Sequence, residues 1–294
     1  MMPVSPLRYP GGKGCLKALL SEVIALNDLR GCLYYEPYAG GAGAALELLK
    51  DNCIAEAFIN DADVRIGAFW ESVLKETGRF VDEIFRVPLS MEEWHRQREI
   101  CVSPSSHTRF QIGFSAFYMN RCNRSGVLAG AGPIGGYAQT GRWKMDVRFN
   151  REHLAERVHA LGQMRKHIHV SNCDALKFLR SVLPKGNFRK RILVYLDPPY
   201  VNKGQRLYLN SYEARDHAQL ARYLDKQTTL PWIMSYDDTD LVRQLYAKQN
   251  LNTLPIRYSL QEKRGALELL ITPRQLRLPK TNVIFNDGKM SKLS

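Results

Sequence analysis

The feature that most constrains this chain is a run of five apolar residues, Ile192-Leu193-Val194-Tyr195-Leu196, followed at once by Asp197-Pro198-Pro199-Tyr200. Five residues are too few for a helix. β-Branched and aromatic side chains with no polar alternation predict a strand buried on both faces, as in a parallel sheet covered by helices. The proline pair stops the strand and fixes the backbone beyond it. Ligands of open α/β sheets bind outside the carboxyl ends of the strands, so Asp197 is expected to face a ligand. The tetrapeptide suits chemistry on an aromatic amine, whose lone pair is delocalised into the ring. Asp197 and the Pro198 carbonyl can accept the two amine protons, and Tyr200 can stack on the ring and hold it in line with an electrophile. Asp197, Pro198 and Tyr200 are therefore the candidate catalytic residues. Such a transfer needs no metal and no covalent intermediate. Attack through a ring carbon would call for a thiol, typically after proline, and no Pro-Cys pair occurs.

A second constellation lies near the N-terminus. Cys32-Leu-Tyr-Tyr-Glu36 reads as a buried strand that runs into Pro37-Tyr-Ala-Gly-Gly-Ala-Gly43 and then an Ala/Leu-rich helix to about residue 49. Residues 57–60 form a further strand ending at Asp61. Strand, Gly turn, helix, strand and acid together open a nucleotide-binding α/β sheet. Gly40, Gly41 and Gly43 let the backbone approach a ligand and open a helix N-terminus toward it. Asp61 stands where a carboxylate can accept both ribose hydroxyls of an adenosine cofactor. Gly40-Gly41-Ala42-Gly43 does not match the dinucleotide pattern, and Gly12-Lys13 lacks the remainder of a phosphate-binding loop. In Arg8-Tyr9-Pro10-Gly11-Gly12-Lys13 a cation and a ring sit on a stiff turn, so Lys13 can pair with a carboxylate and Tyr9 can pack on an apolar or aromatic group.

The α/β rhythm stops after the second strand. Helical spacing recurs at 66–77, 91–100 and 112–120, after a first helix at 16–29, and a Gly-rich loop spans 125–141. The rhythm then resumes with strands at 168–171, 192–196 and 232–235, helices at 175–182, 216–227 and 239–248, and a closing antiparallel pair at 254–260 and 267–271. The expected architecture is α/β: a Rossmann-like sheet built from 1–65 and 166–279, with 66–165 as an inserted, mostly helical domain. After Pro279 periodicity is lost, and 280–294 is expected to be a flexible tail.

The net charge is +13 over 294 residues, and its placement says more than its size. From Cys101 to Arg191 there are sixteen Lys and Arg against four Asp and Glu. A surplus of that kind fits a phosphate-facing surface, although a solvated basic face gives the same count. The six cysteines are scattered without a C-x-x-C pair and read as free thiols of a reducing compartment. His167 and His169 are expected on a strand edge rather than on a metal. No leader segment and no apolar run of membrane-spanning length is visible, so a cytoplasmic protein is expected.

Arg8-Tyr-Pro-Gly-Gly-Lys13, Glu36-Pro-Tyr-Ala-Gly-Gly-Ala-Gly43, Asp61 and Asp197-Pro-Pro-Tyr200, in this order, resemble the Dam-like, alpha-type DNA adenine-N6 methyltransferases over roughly residues 8–273. The resemblance implies an S-adenosylmethionine-dependent methyltransferase sheet with a target-recognition insertion, and methyl transfer from that cofactor to the exocyclic amine of adenine in double-stranded DNA. The target base would be flipped out of the duplex. By the same resemblance Tyr9, Lys13, Glu36, Gly40, Asp61, Asp174 and Asp197 would line the cofactor, with no metal. Asp174 matches the acid placed near the cofactor's adenine. Arg121-Cys-Asn123-Arg124-Ser-Gly126 resembles the family's R-x-N-x-x-G segment, which makes Arg121, Asn123 and Arg124 the expected DNA contacts. Where the best-known members continue with Phe-Asn-Val-Pro, this chain has Val127-Leu-Ala-Gly, a departure that bears on GATC specificity. The resemblance leaves open an enzyme acting alone or as the modifying half of a restriction system, beside a cognate restriction endonuclease, or of a phage system, as a monomer or weak dimer. Methylation of adenine in RNA and a catalytically inactive DNA-binding module are the alternatives. Methylation of a protein glutamine fits less well, because those enzymes usually carry Asn where Asp197 stands.

Overall fold

Strands with apolar residues on both faces must be covered on both faces, and this requirement organises the fold. A computed structural model describes residues 4–8, 16–201, 212–256, 266–279, 283–286 and 289–292. The strands are β1 (Cys32–Glu36), β2 (Ile54–Asn60), β3 (Ile168–Ser171), β4 (Ile192–Leu196), β5 (Trp232–Asp237), β6 (Asn250–Ile256), β7 (Ala266–Thr272), β8 (Val283–Asn286) and β9 (Lys289–Lys292). They form one sheet in the order β3-β2-β1-β4-β5-β7-β6-β8-β9. β1 to β5 are mutually parallel, and β7 runs antiparallel to both β5 and β6.

The period of two is visible in the packing. Tyr34, Leu193, Tyr195, Ile233 and Leu270 enter one apolar cluster, while Tyr35, Val194, Leu196, Met234 and Ile271 enter another on the opposite face. All five residues of β4 are buried. Each large apolar side chain so buried contributes about 2 kcal/mol. The first face is covered by α1 (Lys17–Leu26) and α2 (Gly43–Lys50), through residues such as Leu20, Val23 and Leu46. The second is covered by α8 (Ala175–Val182), α9 (Ala214–Asp225) and α10 (Asp240–Leu245), through Phe178, Leu179, Leu220 and Val242. The eighth and ninth helices in this count begin at side-chain caps: Asp174 accepts from the Lys177 amide, and Glu213 and Asp216 form a reciprocal capping pair.

Between β2 and β3 the described residues form no strand. They form α3 (Val64–Lys75), α4 (Thr77–Arg86), α5 (Met91–Val102), α6 (Arg109–Cys122) and α7 (Arg151–Gln163). The expected helices match α3, α5 and α6 and omit α4 and α7, although Phe80, Val81 and Ile84 of α4 and Leu154, Val158 and Leu161 of α7 form buried faces at helical spacing. Phe69, Phe80, Phe114, Phe117 and Phe149 form a cluster of mostly edge-on aromatic contacts within this region. The same apolar cluster runs on without a break into α1, α2 and the sheet. α3 and α6 meet backbone to backbone: a Cβ on Gly113 would lie 2.4 Å from the Ala68 carbonyl oxygen.

One expectation looks different in the structure. The stretch 280–294, expected to be a loose tail, contains β8 and β9, which pair antiparallel and continue the sheet beyond β6. A short β-branched and aromatic run, Val283-Ile-Phe285, is enough to add to an open sheet edge. Of the two histidines, His169 lies in edge strand β3 as expected and bonds Glu56 of β2, whereas His167 ends the 3-10 turn just before that strand.

Because the α3–α6 contact has no room for a methyl group, Gly113→Ala should cost about 1–3 kcal/mol. Gly78, in the first turn of α4, faces open space, so Gly78→Ala should gain up to about 1 kcal/mol. Thermal melts of the two variants are expected to move in opposite directions.

Candidate active site

The strand order reverses at β1, which has β2 on one side and β4 on the other. Tyr34 pairs with Ala57 and with Leu193. The loops leaving β1 and β4 at their carboxyl ends, 37–43 and 197–201, therefore flank one crevice, the position where doubly wound sheets bind ligands.

The first loop is a turn stitched to the end of β2. The Ala39 amide donates to the Asn60 carbonyl at 2.8 Å, and the Gly40 amide donates to Asp61 Oδ2 at 2.9 Å. Gly40 has φ +47, a conformation that glycine adopts without steric cost. Asp61 Oδ1 accepts from the Asp63 amide at 2.9 Å. Burial, helped by the charge of Asp63, pushes the Asp61 carboxyl up to about 6, although these two amide bonds and Arg65 pull the other way. Glu36, the last residue of β1, is buried, and Oε2 meets no donor. Burial and then the charge of Asp197 hold its carboxyl well above the usual range. Three of the expected residues, Glu36, Asp61 and Asp197, are thus electrostatic neighbours. Asp174 stands exposed after β3 and uses Oδ1 to cap α8, 2.9 Å from the Lys177 amide. Tyr9 and Lys13 lie outside the described residues.

The second loop carries Asp197-Pro198-Pro199-Tyr200. Ser235 Oγ, on β5, donates to Asp197 Oδ1 at 3.0 Å. The Tyr200 hydroxyl donates to Glu268 of β7. The Val201 amide donates to Asp237 Oδ1 at 3.2 Å. Asn60, Ser235 and Glu268 escape the reading of motifs. Their signal is a lone polar residue inside an apolar strand, as in Trp232-Ile-Met-Ser235 and Ala266-Leu-Glu268-Leu-Leu270.

The R-x-N-x-x-G segment divides differently from the expectation. Arg121 is 6% exposed, and its guanidinium donates to the Pro6 carbonyl. Burial, then Arg157, Arg8 and Arg148, lower it to about 9. Asn123 is fully buried; it accepts from Trp94 Nε1 at 2.8 Å and donates to the Val127 carbonyl at 2.8 Å. Of the three expected DNA contacts only Arg124 is exposed. Beyond it the loop presents Tyr137 and Trp143, 64% and 59% exposed, with the Arg142 guanidinium 5.2 Å from the Trp143 ring. Asn120 joins this region to the N-terminal segment. Its Oδ1 accepts from the Arg8 amide, and its Nδ2 donates to the Arg8 carbonyl, both at 2.6 Å. The basic surplus also divides. Six of the sixteen basic residues follow β3, and those at 189–191 enter β4 at the end opposite Asp197. Among the described residues no helix is long and apolar enough to cross a membrane, and no three His, Cys, Asp or Glu side chains gather as for a metal.

A family model described as D12 class N6 adenine-specific DNA methyltransferase matches residues 9–260. Among solved structures, one from Listeria monocytogenes assigned to the class I S-adenosylmethionine-dependent methyltransferases matches at 9% identity and a TM-score of 0.38. That match covers 95% of this chain, and the chain spans 65% of the Listeria protein. No curated protein sequence matches.

The raised Asp61 carboxyl has a measurable consequence. A ligand hydroxyl donating to Asp61 is held by the ionised form, which is present above about pH 6. Affinity for S-adenosylmethionine, measured by calorimetry, should fall about tenfold from pH 7 to pH 5. Asp61→Asn should bind weakly and show no such dependence.

Proposed function

The chain belongs to the D12 class N6 adenine-specific DNA methyltransferase family, and from that premise we propose that it transfers a methyl group from S-adenosylmethionine to the N6 amine of adenine in double-stranded DNA. The adenine lies within a short specific sequence and is flipped out of the duplex for reaction. The observation that carries this reading is the position of Asp197-Pro198-Pro199-Tyr200 at the carboxyl end of β4, next to Glu36 and Asp61 in the crevice where the strand order reverses.

The residues of the crevice fit the cofactor. It is cationic at its sulfonium and ammonium groups, and the crevice gathers the carboxyl groups of Glu36, Asp61 and Asp197, with Glu36 Oε2 lacking a donor. Asp61 would take the ribose hydroxyls, the Gly40 turn would let the backbone approach, and Asp174 would lie toward the adenine ring. Tyr9 and Lys13 complete the set. When bound, S-adenosylmethionine supplies an electrophilic methyl group on sulfur. The chain's own task is to make an aromatic amine nucleophilic and hold it in line. The Asp197 carboxylate and the Pro198 carbonyl accept the two N6 protons, drawing the nitrogen toward a tetrahedral geometry with its lone pair free to attack. Tyr200 stacks on the flipped base. After transfer the surplus N6 proton leaves toward Asp197. A buried crevice strengthens each of these bonds relative to water.

The insertion, 66–165, is the target-recognition element in this reading, and its Gly-rich loop faces DNA. Arg124, Arg142, Tyr137 and Trp143 are exposed there, a mixture of guanidinium and ring suited to phosphates and to unstacked bases. Arg121 and Asn123 act one step back, by holding the base of the loop.

Two measurements test the proposal. Asp197→Ala should abolish transfer of tritiated methyl groups to unmethylated plasmid DNA while cofactor affinity stays within about tenfold. Retained transfer would remove Asp197 from the mechanism. Neutralising Arg124 and Arg142 together should weaken DNA binding and lower the slope of log affinity against log salt by about one per lost phosphate contact. An unchanged slope would move the DNA to another face.

A further inference from the structure

β7 carries one carboxylate in the middle of an apolar strand, Glu268 in Ala266-Leu-Glu268-Leu-Leu270, and it is 1% exposed. A carboxylate in a buried strand is costly unless it is hydrogen-bonded. Here it receives the hydroxyl of Tyr200, the aromatic residue of the reactive loop. Burial, then the charges of Asp197 and Glu268, push the Tyr200 hydroxyl far above its ordinary range, so it remains a donor.

β5 supplies two further anchors. Ser235 is fully buried, and its single hydroxyl proton goes to Asp197 Oδ1 at 3.0 Å. Ser235 Oγ must then accept from the Tyr195 hydroxyl, 2.8 Å away, which gives a directed chain from Tyr195 through Ser235 to Asp197. Asp237, which pairs with Glu268 across β5 and β7, accepts the Val201 amide. Positions 197, 200 and 201 of the loop are therefore each tied to a polar side chain of these two strands. A loop gains precision when its side chains are fixed by bonds from rigid elements.

We propose that Glu268 and Ser235 are separate positioning residues for methyl transfer, Glu268 setting the plane of the Tyr200 ring against the target base and Ser235 setting the orientation of the Asp197 carboxylate. The inference rests on the methyl-transfer reading above. It separates two kinetic effects. The Tyr200 ring holds the base before reaction as well as during it, so loosening the ring weakens binding. Asp197 acts on the amine as the new bond forms, so turning its carboxylate slows turnover.

Steady-state transfer of tritiated methyl groups to plasmid DNA free of adenine methylation tests both roles. Glu268→Leu and Tyr200→Phe should each raise the KM for DNA about three- to tenfold, with a smaller change in kcat. The double variant should be no worse than either, because both remove one bond. Glu268→Gln keeps an acceptor oxygen and should restore KM to within about threefold. Ser235→Ala should lower kcat about tenfold at an unchanged KM. If Glu268→Leu does not fold, Tyr200→Phe removes the same bond from the other side. A wild type that transfers while Tyr200→Phe keeps the wild-type KM, or additive losses in the double variant, overturns the role of Glu268. Loss of KM rather than kcat in Ser235→Ala overturns the role of Ser235. A wild type that transfers no methyl group to DNA overturns the functional reading itself, and this inference with it.

Discussion

One buried amide holds the ligand-facing end of the sheet together. Asn60 is 1% exposed at the end of β2, and its Nδ2 donates to the Pro37 carbonyl at 3.0 Å and to the Cys173 carbonyl at 2.9 Å. Its Oδ1 accepts from the Cys173 amide at 3.1 Å. The side chain therefore closes the loops after β1 and β3 against β2, and the main chain of the same residue receives the Ala39 amide. Each of these groups would cost about 1–3 kcal/mol if left buried without a partner. No apolar side chain can replace it, and a charged one would bring an ion into the core. The Gly40 turn, Asp61 and Asp174 all take their places from this joint.

A second joint ties the insertion to the Gly40 turn. Trp70 of α3 donates from Nε1 to the Gly40 carbonyl at 2.9 Å, in an apolar cluster that the insertion and the sheet share. On the far side of the insertion Asn120 grips both backbone groups of Arg8, directly before Tyr9. The helices 64–163 are thus seated on the sheet by packing and by directed bonds, without a solvated linker between two cores. Any shift of the insertion would be felt at the Gly40 turn, because packed interiors transmit strain.

The crevice also gathers like charges. Burial and then the charges of Asp197 and Asp61 make Glu36 costly to ionise, while Asp61 is raised by burial and by Asp63. Stability and function pull apart here. An apolar residue at Glu36 would suit the core better, but it would remove the acceptor that is left without a donor.

Much of this was legible in the chain. Short apolar runs closed by turn residues located β1, β3 and β4 to the residue, and helical spacing behind a cap located α8. The motifs marked Glu36, Gly40, Asp61 and Asp197, because their chemistry lies in residue type and in their place after a strand. Not anticipated were α4 and α7, although Phe80, Val81 and Ile84 in one and Leu154, Val158 and Leu161 in the other form buried faces at helical spacing, nor β8 and β9, of which β8 joins a sheet edge 27 or more residues away in sequence and β9 pairs with β8. Residue type misled at Arg121 and Asn123. A guanidinium and an amide look like DNA contacts until the fold buries them under Pro6 and Trp94. The sequence by itself determined the residue types of the tetrapeptide and the strand that carries it. Only the tertiary structure decided what holds that loop still, because Ser235, Asp237 and Glu268 meet Asp197, Val201 and Tyr200 through bonds between strands 36 to 68 residues apart in the chain.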